Sequence, residues 1–185
     1  MKKLTALLLC LVLTLTVASA AMANEKIVIG ATPSPHAEIL ELVKDDLAAL
    51  GYDLEVMIFT EYPIPNPATA AGELDANYFQ HLPYLNAYNA SVPEEEQLVA
   101  VIPVHYEPYG IYAGTKSSLD DIADGDKIAI PNDPVNENRA LLLLQDAGLI
   151  KLPEGTTLES TCTPLDVVEN PKNLELVELN AELIT

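Results

Sequence analysis

Arg139 is the only arginine in the chain, and it stands three residues after Asn136. On a helix that spacing puts both side chains on one face. A guanidinium is a planar fork that meets a carboxylate with two parallel hydrogen bonds. The helix that would carry the pair begins at Pro134 behind Asp133, a good N-cap, so free N–H groups and a positive dipole end lie nearby. Together these features make a carboxylate receptor. The same residues are equally well read as a surface arginine paired with Glu137 or Asp146, and spacing alone leaves both readings open.

The segment Asp75-Ala76-Asn77-Tyr78-Phe79-Gln80-His81 crowds aromatics, an amide and a histidine into one turn after a strand. Loops at strand ends are where open α/β sheets bind ligands, and aromatic faces suit apolar and sulfur-bearing groups. Tyr78 and Phe79 are also ordinary core residue types, so this reading too stays open. His36, His81 and His105, with Glu38 or Glu107, form a dispersed zinc set without close ligand spacing. No G-x-S-x-G elbow and no phosphate-binding glycine loop occurs. Neither a catalytic residue, a metal nor a cofactor is assigned. Cys162 lacks any motif and reads as a buried, inert thiol.

Positioning such residues falls to alternating strands and helices. Strands are predicted at Ile27–Ile29, Leu54–Phe59, Leu98–Ile102, Lys127–Ile130 and Leu174–Leu179, with a brief one at Leu74–Asn77. Residues 36–50 have helical spacing, with Ala37, Leu40, Val43, Leu47 and Leu50 on one face. Further helices are predicted at 83–88 and from Pro134 to near Gly148; the four leucines Leu141–Leu144 make the last one a buried helix. Such alternation implies an α/β fold with a parallel β–α–β start. A lobe boundary is placed near 103–108, between Pro103 and Pro108, dividing the chain into 24–105 and 106–185.

Residues 1–23 stand apart. Two lysines precede an apolar run, and small residues at Ala18-Ser19-Ala20 and Ala21-Met22-Ala23 suit a signal peptidase. The reading is a signal peptide cleaved after Ala23, exporting the protein. Cys10 lies inside the apolar run rather than at its end, so a lipid anchor is not expected. Cleavage removes two of nine basic residues and none of the 28 acids. So acidic a chain argues against nucleic acid and anionic lipid as partners. One remaining cysteine allows no internal disulfide, and no later stretch is apolar enough to span a membrane.

Four strings carry a family resemblance: GATPSPHAEIL at 30–40, GELDANYFQHLPYL at 72–85, IPNDPVNENRALLLLQDAGLIKL at 130–152 and ENPKNLELVEL at 169–179. From about residue 26 onward the chain resembles the methionine-binding lipoproteins, the receptors of methionine ABC importers. The resemblance implies a periplasmic-binding-protein-like α/β fold, two lobes with the ligand cleft between them, the second lobe incomplete. It implies a non-enzymatic receptor whose Arg139 binds the ligand carboxylate, with Asn136 beside it. Tyr62, from the FTxY segment, with Tyr78, Phe79 and His81, would surround the thioether. The implied partners are L-methionine or a related amino acid and the membrane permease of the importer. The alternative is a receptor for another small solute, another amino acid or a metal ion, on the same scaffold.

Some positions depart from the family pattern. The lipobox cysteine is missing, and Pro63 and Pro67 flank the usual Pro65. Tyr106 and Tyr109 stand where aliphatic residues or Met are expected. The family continues beyond the position of Thr185, so residues 24–185 by themselves are expected to bind ligand weakly or not at all.

Overall fold

The computed structural model describes residues 24–184. The expected signal peptide and Cys10 lie outside them. The described chain forms two compact units. Unit 1 runs to Phe59 and includes Pro67–Phe79; unit 2 holds Thr60–Asn66 and everything from Gln80.

Unit 1 is a three-stranded parallel sheet, in the order β2-β1-β3, of β1 (Glu25–Ala31), β2 (Tyr52–Ile58) and β3 (Ala76–Tyr78). The expected parallel β–α–β start is present, with Ile27 opposite Leu54 and Ala31 opposite Ile58. The predicted helix over 36–50 is interrupted. It forms as α1 (Glu38–Leu42) and α2 (Lys44–Ala49), separated at Val43, whose φ/ψ of −100°/0° leaves the regular helix. Neither piece has a fully buried residue, and Leu42 and Leu50 are largely exposed. The core lies against the sheet, where Ala31, Leu54, Leu74 and Phe79 are buried. Gly30 is required there: a Cβ on it would sit 2.6 Å from Leu74 Cδ1 and 3.0 Å from Phe59 Cε2. Asp75 ties β1 to the turn before β3, accepting from Val28 N at 2.7 Å.

Between β2 and β3 the chain makes α3 (Pro65–Ala70), and after β3 it makes α4 (Leu82–Ser91) in unit 2. A two-stranded parallel sheet follows, β4 (Lys127–Pro131) beside β5 (Glu175–Leu179), with Ile128 opposite Leu176. Helix α5 (Pro134–Asp146) packs on β4. Its leucines behave as their run suggests: Leu141 and Leu144 are buried, joined by Ile130, Leu149, Ile150, Leu152 and Leu174. Burying each such side chain contributes about 1.5–3 kcal/mol. Gly148 closes the helix with φ +73°, its N–H donating to Gln145 O while Leu149 N reaches Leu144 O.

Two expectations meet a different arrangement. The strand predicted at 98–102 does not form; the chain is irregular from Gln97 through Ala113. Val99, Val101 and Ile102 are 84%, 87% and 72% exposed, and no described strand pairs with them. Alternating apolar residues make a strand only when a neighbouring backbone accepts the ladder. The boundary predicted at 103–108 lies inside unit 2, which holds everything from Gln80 onward and in which α4 packs against α5. Cys162 is half-buried rather than buried, packed at the edge of the unit 2 core.

Candidate ligand-binding site

The start of α5 is built by Asp133. Its carboxylate accepts from Asn136 N at 3.0 Å and, through both oxygens, from Asn136 Nδ2 at 3.1 and 3.0 Å. The amide is thus held donor-inward, which leaves Asn136 Oδ1 facing along the helix. That oxygen accepts from Arg139 Nη1 at 2.8 Å, across the predicted three-residue spacing. The same Nη1 lies 3.1 Å from His81 Nε2 at the N-terminus of α4. A guanidinium can only donate, so Nε2 is the acceptor and His81 is the neutral Nδ1–H tautomer.

Burial and then the Arg139 charge push the His81 pKa down to about 4, partly offset by Asp133 and Glu107. The ring therefore stays neutral throughout the physiological range. On its other side the guanidinium lies over Tyr109, with Cζ 4.4 Å from the ring centroid. Tyr109 is itself fixed, its hydroxyl donating to Asn136 O at 3.2 Å.

A second aromatic group continues from His81. Its ring is 6.5 Å from that of Tyr84, which meets Tyr62 edge-on at 6.2 Å. Tyr62, Tyr84, Asp133 and Asn180 line a recess flanked by Glu61 and Glu182. Burial raises the phenol pKa of Tyr62, and lifts those of Tyr84 and Tyr109 to about 12, so all three remain protonated donors.

The surface-arginine reading of Arg139 fails on geometry. Among the described residues no carboxylate lies within ion-pair distance of it. Glu137 turns away into the protein, 4% exposed, toward Glu178. Its Oε1 is buried without a hydrogen-bond partner. Burial, the Glu178 carboxyl, and the charges of Asp133 and Asp166 raise the Glu137 pKa to about 7.

Of the predicted residues, Arg139, Asn136 and His81 are in direct contact, and Tyr62 reaches the group through Tyr84. Tyr78 and Phe79 belong to unit 1: Phe79 is a buried core residue, and Tyr78 meets the His36 ring edge-on at 4.8 Å. His36 bonds Thr32 Oγ1 through Nδ1 at 2.7 Å. His81 of the suggested zinc set sits against a guanidinium, an environment that repels a metal cation. Sequence reasoning missed Tyr109 and Tyr84 as members of the group. Tyr109 had one signal, its departure from the expected aliphatic type.

Parallel α/β sheets, with this group at the start of the second unit's helix, are the architecture of periplasmic-binding-protein-like folds. The chain belongs to the NlpA lipoprotein family, whose model matches residues 27–185. It is 46% identical over 145 residues to the D-methionine-binding lipoprotein MetQ of Escherichia coli K12, covering 78% of this chain and 51% of that one. A lipoprotein crystal structure from Ruminococcus gnavus matches with TM-score 0.78 at 53% identity, covering 85% of this chain and 63% of that one. A nutrient binding protein from Burkholderia cenocepacia, bound to methionine, matches with TM-score 0.77 at 41% identity, over 84% of this chain and 64% of that one. The chain thus spans about half the length of the curated MetQ relatives. Among the described residues no helix is long and apolar enough to cross a membrane.

Proposed function

We propose that this protein is an exported, non-enzymatic receptor that captures methionine and delivers it to an ABC importer. The observation that carries the reading is the state of Arg139. It is the sole arginine of an acidic chain, oriented by Asn136 and His81, yet without an acid partner among the described residues. A cation held in place without a counter-ion is suited to a ligand carboxylate. The rings of His81, Tyr84 and Tyr62 offer apolar and polarisable faces for a thioether. Glu61, Asp133 and Glu182 supply negative charge for an ammonium group. The names of the relatives support methionine as the ligand, and one related structure contains it. The roles of Tyr78 and Phe79 as ligand walls rest on the family motif alone.

The test is titration of the folded chain with L-methionine, followed by the side-chain N–H signal of its single arginine. Saturable movement of that signal is expected. Arg139→Ala should weaken binding by at least about tenfold, the value of a charge-assisted hydrogen bond. Unchanged affinity in that variant would remove Arg139 from the role.

Export follows from residues 1–23, with cleavage after Ala23 and no lipid on Cys10. The relatives' designation as lipoproteins argues for a lipid instead. The mass of the mature N-terminus decides: a chain beginning at Asn24 supports cleavage, and a diacylglyceryl adduct on Cys10 refutes it.

A further inference from the structure

To receive a carboxylate, the Arg139 side chain must be held in a fixed pose. Both hydrogen bonds of the guanidinium among the described residues are on one nitrogen, Nη1, to Asn136 and His81. Both N–H bonds of that nitrogen lie in the guanidinium plane, so the two acceptors set its direction, but they hold it at one corner only. The ring of Tyr109 supports the rest of the fork, with Arg139 Cζ lying over it 4.4 Å from the centroid. Its own orientation is fixed by the hydroxyl bond to Asn136 O, so ring and arginine are referred to the same turn of α5. Nε and Nη2 then remain as a parallel donor pair on one edge, unengaged among the described residues. That edge has the geometry of a bidentate carboxylate receptor.

We propose that Tyr109 is a positioning residue for carboxylate capture, stacking on Arg139 so that the Nε/Nη2 edge is presented to an α-carboxylate. This rests on the receptor reading above and deepens it: the selected ligand class is amino acids with a free carboxylate. Tyr109 reaches the arginine from an irregular segment 30 positions earlier in the chain, outside every described helix and strand.

Two measurements test the role, the first without ligand. Because the chain has one arginine, its Nε–H signal is assigned by inspection. In the native protein it should be shifted upfield by the ring current of Tyr109. Tyr109→Leu should return it toward the value of free arginine. Tyr109→Phe, which keeps the ring and loses the hydroxyl anchor, should hold an intermediate shift. An unshifted native signal, or a Leu variant that keeps the native shift, overturns the proposal.

The second measurement compares L-methionine with L-methioninamide, which lacks the carboxylate. Loss of the stack should lower affinity for methionine by about threefold to thirtyfold. The ratio of the two affinities should fall with it. An equal loss for both ligands would mean that Tyr109 merely supports the fold, and would refute the proposal. Failure of the native protein to bind methionine would refute the receptor reading instead, and the ligand-free signal would still decide the role of Tyr109.

Discussion

At the residue scale, two groups whose displaced titration falls between about pH 4 and 7, Glu137 and His81, pull stability in opposite directions. Glu137 holds its proton more tightly folded than unfolded, with a pKa of about 7 against an ordinary 4.5. Its contribution is therefore complete below about pH 4.5 and is lost as pH rises through about 7. The groups facing it, Glu178 on β5, Asp133 at the helix cap and Asp166, are all acids, so none relieves the charge. His81 behaves conversely: its folded pKa of about 4 lies below the ordinary 6.5. Its contribution is present above about 6.5 and is lost as pH falls toward 4. The slopes oppose each other between about 4.5 and 6.5. Glu137→Gln should remove one of them, leaving stability that rises with pH across that window. It should also gain on the order of 2 kcal/mol at pH 8, measured by urea unfolding at fixed pH values. A variant with the native pH profile would show that Glu137 is not the proton holder.

At the scale of elements, α5 was legible because three local signals agree. Asp133-Pro134 starts the helix, the leucine run buries one side of it, and Gly148 ends it at positive φ. Its arginine and Asn136 then had to share a face. Asp133 has a further task that its cap position did not announce: it turns the Asn136 amide so that Oδ1 meets the arginine. Asp133→Ala should cost about 1 kcal/mol in urea unfolding as a lost cap. It should also weaken methionine binding more than a cap lost elsewhere would, since Asn136 is released; unchanged binding would confine Asp133 to capping. Tyr109 was illegible for a different reason. Its segment has no periodicity to place it, and the contact with Arg139 is a tertiary one across 30 positions. The strand read at 98–102 failed because a strand is a property of two chains, whereas hydropathy reports on one.

For the whole molecule, 28 acids against nine bases make self-repulsion a global term. Ion pairs among the described residues such as Lys127 with Glu175 and Lys26 with Glu55 are exposed, and do little to offset it. Raising NaCl from 0.02 to about 0.5 M shortens the screening length several-fold and should raise the melting temperature by a few degrees. A melting temperature that falls with salt would mean that the ion pairs outweigh the repulsion.

The solitary arginine has one more consequence. An arginine-specific protease finds a single scissile bond in the entire sequence, Arg139–Ala140, inside α5 and next to the fully buried Leu141. Cleavage requires that turn to unwind, so under slow digestion the rate of one clean cut reports how often the second unit opens. A ligand seated on the guanidinium would both hold the helix closed and mask the residue the protease must grip. The same side chain proposed to capture the solute thus makes the protein its own occupancy gauge, readable on a gel as one band becoming two.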